Sequence, residues 1–238
     1  DGFVPAVTEA VEDLPPAPEK EGCQVDQVSP KPIKCEYGDP EGDTDIVVLG
    51  DSKILQWQTV LDEIAKEEGW KVTSYTKSAC TFSSGMQMAK GDPYTSCAEW
   101  SENVMDLTLE HEPDLVLTES RINEALEDRS DPESLSKDAM TKGIAESWQK
   151  LADNDIPVVG ILDNPSPGMS VYECVGDNMD NLEECTFDKK EGIESSSAPN
   201  FQAAAKEVEG TRLVDVRDSI CPAEECVPVI GGVLVYRQ

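Results

Sequence analysis

The chain has 238 residues, 38% of them hydrophobic, enough to bury one sizeable α/β core. No apolar run approaches the roughly 18 residues of a membrane helix, and no signal segment opens the sequence. Its 49 acidic and 19 basic residues leave a net charge of −30. That argues against a nucleic-acid ligand, which is held by Lys and Arg, and against anionic headgroups. Solubility by self-repulsion accounts for the charge.

The opening "DGFVPAVTEAVEDLPPAPEKEG" is Pro/Glu-rich and reads as linker, so the chain reads as a piece of something longer. Cys23 to Cys35 then encloses a Pro-containing loop, and residues 1–44 together form a linker with a stapled extension. "DIVVLG" (45–50) is a continuous apolar run of strand length. Ile54, Trp57, Leu61 and Ile64 recur at helical spacing, which predicts a helix over 53–68. "WKVTSYT" is a second strand, 97–111 a helix, "PDLVLTE" a third strand and 134–153 a helix. "IPVVGIL" is a fourth strand, 200–209 a helix and "TRLVDV" a fifth strand. The intervening 164–199 is Ser/Asn/Gly-rich and reads as an irregular functional insertion. Strands apolar throughout, alternating with helices, predict a three-layer α/β/α, flavodoxin-like domain over 45–238. Its mostly parallel five-stranded sheet is covered on both faces.

Eight cysteines stand at 23, 35, 80, 97, 174, 185, 221 and 226. An even count without CxxC spacing favours disulfides and an oxidising compartment over zinc, for which only Cys221 and Cys226 are close enough. The simplest pairing joins neighbours: Cys23–Cys35, Cys80–Cys97, Cys174–Cys185 and Cys221–Cys226. No loop has the alternating ligand pattern and glycine of a calcium site, and no metal or cofactor is expected.

Gly50-Asp51-Ser52 ends the first strand and opens the first helix. Ligands of parallel sheets gather at this edge, and a helix amino terminus offers unpaired N–H groups to an oxyanion. Ser52 is therefore a candidate nucleophile, or it shares with Asp51 the plain role of helix cap. The tripeptide alone leaves both open.

The surrounding blocks are Gly50-Asp51-Ser52, Gln56-Trp57, Gly69-Trp70, Lys77-Ser78-Ala79-Cys80, "CAEW" (97–100), "PDLVLTESR" (113–121), "IPVVGILDNPSP" (156–167) and "CPAEECVPVIGGVLVYR" (221–237). Together they resemble the SGNH hydrolase-like domain that follows a membrane acyltransferase family 3 module. The resemblance implies an extracytoplasmic domain, attached to the membrane through a preceding module that passes it an acyl group, usually acetyl. Ser52 would carry that group as an ester and deliver it to a hydroxyl of a cell-envelope glycan or glycolipid. The N–H of Ser52 and one near Ser78 would hold the oxyanion. The family's third donor is an asparagine, for which Asn123 is the nearest candidate, slightly out of register. Arg121 at the same strand end could instead orient a substrate.

A serine needs a base. The only histidine, His111, lies at the opposite edge of the sheet from Ser52, roughly 17–20 Å away across a five- or six-residue strand, and is read as a surface residue. The family's base sits in an Asp-x-x-His motif after a strand like "VLVYR", and the sequence stops at Gln238, where that motif would begin. Either the motif lies beyond Gln238, or this member binds without turnover; as it stands the chain should be catalytically poor. Lys53 replaces the subgroup's usual histidine. It could lower the Ser52 pKa or meet an anionic substrate, though its stem is expected to reach solvent. Asp163 is a candidate rim residue, and the four tryptophans read as core. Three functions stay in view: O-acyl transfer, a free-standing carbohydrate esterase, and an inactive glycan-binding module.

Overall fold

A computed structural model describes residues 3–10, 12 and 22–236. The centre is a sheet of seven strands: β1 (Gln24–Val25), β2 (Cys35–Gly38), β3 (Thr44–Gly50), β4 (Trp70–Lys77), β5 (Leu115–Glu119), β6 (Val158–Ile161) and β7 (Arg212–Val214). The five strands expected from the apolar runs form a parallel array in the order β4–β3–β5–β6–β7. Counted from β3, that is the order 2-1-3-4-5, and its switch point lies between β3 and β5.

The stapled extension adds the other two strands, both on the outer edge of β4. β1 runs parallel to its carboxyl end and β2 antiparallel to the rest. An exposed strand edge invites unwanted pairing, and this segment covers it.

Side chains alternate across β3. Val47 and Leu49 enter the larger core with Trp100, Val104, Met140, Ile144, Trp148 and Phe201. Ile46 and Val48 face a smaller core with Ile54 and Ala65. Helices α3 (Thr95–His111), α4 (Lys137–Ala152) and α5 (Ala198–Glu207) therefore cover one face, while α1 (Ser52–Leu55) and α2 (Gln58–Glu68) cover the other. Trp148 meets Phe201 edge to face at 5.1 Å. The expected single helix over 53–68 is two, interrupted at Gln56–Trp57, with Gly69 left-handed at its end.

Two other expectations are corrected. The stretch 164–199 is not irregular throughout: it contains helices at Val171–Asp177 and Lys189–Ser195. Val171 and Val175 of the first close a second core with Cys185, Cys221, Cys226, Leu234 and Tyr236. Within the stretch read as linker, Val4 exchanges hydrogen bonds with Gly232 and Leu234, and Ala10 is buried in that same core. Positions 1, 2, 11 and 13–21 of that stretch lie outside the described residues. All four disulfides join the expected neighbours.

Candidate active site

The site follows from strand register. Gly50 pairs with Thr76 on one side and Glu119 on the other. Two residues further along each strand come Ser52, Ser78 and Arg121, in a row at the carboxyl edge with strands about 4.8 Å apart. Asp163 takes the equivalent place after β6. Gly50 has φ of 150°, and a Cβ there would stand 2.1 Å from the Glu119 carbonyl oxygen. Only glycine lets β3 and β5 close up before the turn.

Ser52 is exposed at the first position of α1. No hydrogen bond among the described residues engages its N–H. The capping belongs to Asp51, which is fully buried. One carboxylate oxygen accepts the Lys53 N–H at 2.9 Å and the other accepts the Arg121 N–H at 2.9 Å. Burial pushes its pKa up to about 6, against the opposing pull of those two N–H groups. Asp51 is therefore the cap, and Ser52 stays exposed.

Beneath the turn lie two further buried acids. Glu119, fully buried, accepts the Trp57 indole N–H at 2.5 Å, and its other oxygen has no partner. Burial raises its pKa well above the usual carboxyl value, with the charge of Asp163 adding to it. Asp163 is 2% exposed and stands 3.0 Å from the Lys53 ammonium. Burial raises its pKa too, opposed by Lys53 and by the N–H groups of Ser197 and Asn164. Lys53 therefore turns inward, contrary to the expectation that its stem reaches solvent. A buried carboxylate one strand beyond Glu119 is a better partner than water.

Other candidates fare differently. The Ser78 N–H donates to Val25 at 2.8 Å and its carbonyl accepts the Tyr94 hydroxyl at 2.8 Å, so Ser78 itself has no N–H to offer. The adjoining Ala79 has φ of 49°. Asn123 is corrected as an oxyanion donor: its side-chain amide donates to the carbonyls of Ser195 at 2.9 Å and Ser196 at 3.3 Å, which ties down the 189–195 helix instead. Arg121 is exposed and forms no ion pair among the described residues. His111 pairs with Asp45 at 2.9 Å. Asp45 lies five residues before Gly50 on β3, about 17 Å away along a strand, so His111 is no base for Ser52. Trp100 and Trp148 are core as expected, whereas Trp57 is half-buried against the smaller core. No group of three or more His, Cys, Asp or Glu set to hold a metal occurs among the described residues.

Sequence reading missed two residues. Glu119 was legible as a charged residue ending a buried strand. Lys77 is wholly buried and donates to the carbonyls of Asp26 at 2.5 Å and Ser29 at 2.6 Å, holding the stapled loop beside the site.

A 2-1-3-4-5 parallel sheet with an exposed, Asp-capped serine at its switch point defines an SGNH-type α/β domain. The family described as SGNH domain (fused to AT3 domains) matches residues 22–237, and the chain belongs to it. Among solved structures, the chain is similar to the lipopolysaccharide acetyltransferase periplasmic domain of Salmonella ser. Paratyphi A. The TM-score is 0.61 and the identity 13%, over 97% of this chain and 87% of that one. A putative acylhydrolase of Bacteroides fragilis matches with a TM-score of 0.48 and 14% identity, over 83% of this chain and 81% of that one. No curated protein matches the chain by sequence.

Proposed function

We propose that this chain is the extracytoplasmic domain of an O-acyltransferase, with Ser52 as nucleophile and a cell-envelope glycan or glycolipid as acceptor. The observation that carries the reading is the exposed Ser52 hydroxyl on a turn whose capping is done by its buried neighbour. The family's fusion to AT3 domains supports a membrane module as acyl source. In the first half-reaction the Ser52 oxygen bonds to the acyl carbon, the donor's leaving group departs, and the serine proton goes with it. In the second, an acceptor hydroxyl bonds to that carbon, the seryl ester breaks, and the acceptor's proton returns to Ser52. The acyl group is acetyl. The Ser52 N–H faces the developing oxyanion, and Arg121 orients the acceptor.

The test is incubation with an activated acetyl ester and candidate sugars, with peptide mass locating the acetyl on Ser52 and sugar mass detecting transfer. Acetylated sugar supports transfer, and free acetate alone supports the esterase reading. A third reading, a glycan-binding module without turnover, draws on the engagement of His111 with Asp45 far from Ser52. Glycan binding with no acetyl on Ser52 would favour it.

A further inference from the structure

Lys53 spans an unusual distance for a residue so close to a nucleophile. It leaves the end of β3, yet its ammonium meets Asp163 beyond the end of β6, and β5 runs between those strands. The pair therefore bridges about two strand spacings, or roughly 10 Å, shared between the lysine stem, the 3.0 Å contact and the Asp163 side chain, over the end of β5, where Glu119 sits. Three carboxylates surround that path. Asp51 and Glu119 are fully buried and Asp163 is 2% exposed, and the Lys53 side chain is itself 28% exposed. Each acid is tied to a different element. Asp51 caps the Ser52 turn and reaches the Arg121 N–H, Glu119 holds the Trp57 indole at the α1–α2 junction, and Asp163 anchors the ammonium. Buried charge without a counter-ion is strongly unfavourable.

We propose that Lys53 is a positioning residue. Its ammonium is the internal counter-ion of the Asp51, Glu119 and Asp163 cluster, and through that cluster it sets the placement of the Ser52 turn rather than contacting the acceptor. The counter-ion assignment rests on the 3.0 Å contact with Asp163 and on the burial of the other two acids at the same strand ends, whereas its effect on Ser52 rests on the seryl-ester reading.

The experiment is a charge-rescue cycle with Lys53→Met, Asp163→Asn, the double variant and Lys53→Arg. Three quantities are read: the melting temperature, Trp57 emission taken as the difference from the same chain carrying Trp57→Phe, since three other tryptophans also emit, and the rate of Ser52 acetylation by p-nitrophenyl acetate, followed by intact mass. Removing one partner of a buried pair should lower the Lys53→Met melting temperature by at least about 5 °C. It should also move the Trp57 emission and slow acetylation by about tenfold or more, the size of a misplaced reacting group. The double variant removes the carboxylate in direct contact with the ammonium, so it should recover part of the melting temperature, the emission and the rate. Lys53→Arg should resemble the parent. A double variant no better than Lys53→Met would overturn the proposal. So would a Lys53→Met chain that melts and acetylates normally and loses only transfer to anionic sugars. Absence of acetylation in the parent itself, with the melting and emission arms as expected, would remove the ester reading and leave the counter-ion assignment supported.

Discussion

The carboxylate of Asp51 accepts the backbone N–H of Arg121 across 2.9 Å, joining the turn after β3 to the loop after β5 at the level of Ser52. A single buried side chain thereby sets the spacing of Ser52 and the residue that faces it from the neighbouring strand. The same carboxylate holds the Lys53 N–H, so the site's geometry depends on an acid that burial disfavours.

That burial has a pH signature. The Asp51 pKa is pushed up to about 6, so the folded chain binds this proton more tightly than the unfolded one. The contribution favours the folded state fully below the ordinary aspartate value and is lost as pH rises through about 6. About two pKa units correspond to a few kcal/mol. Asp51→Asn should therefore flatten the fall in melting temperature between about pH 4 and 6, measured against the parent at each pH. Superimposable slopes would show that Asp51 is not buried as a charge.

Gly50→Ala should be strongly destabilising. The new methyl would lie 2.1 Å from a backbone oxygen of Glu119, and neither strand can yield without breaking the β3–β5 ladder. A loss of about 4 kcal/mol, read from the urea midpoint, is expected. An unshifted midpoint would mean that the two strands are further apart.

Cys80–Cys97 anchors the chain immediately after Ser78 and Ala79, where it leaves the site. The Cys80→Ala/Cys97→Ala chain should lose about 3 kcal/mol and acetylate Ser52 more slowly, because the turn is no longer pinned. Alkylation of the native protein without reduction should add no mass, since all eight cysteines are paired.

His111→Ala should leave Ser52 acetylation within about twofold of the parent while lowering stability by about 1 kcal/mol, the worth of a partly exposed pair with Asp45. A large drop in rate at unchanged stability would place His111 in the chemistry after all.

The layers and strand identities were legible because burial on both faces writes itself as unbroken apolar runs, as in "DIVVLG" and "LVLTE". Neighbouring cysteines were legible because short loops bring their own ends together. The helix Val171–Asp177 inside 164–199 was not, since its short apolar side faces a core shared with residues 3–10 and the carboxyl-terminal hairpin, partners far away in sequence. Asn123 was misplaced for the same reason: its choice between an oxyanion and the Ser195 carbonyl depends on where the 189–195 helix docks.

By itself the sequence determined the α/β alternation, the disulfide frame and the place of Ser52 at a strand-to-helix turn, because each rests on local periodicity or a short loop. Tertiary structure alone decided which acid caps that turn, where the Lys53 ammonium lies, and that Glu119 sits beneath the Ser52 turn. Those outcomes depend on the register of β3 against β5 and of β5 against β6, and a pairing between distant strands has no trace in the spacing of residues along one of them.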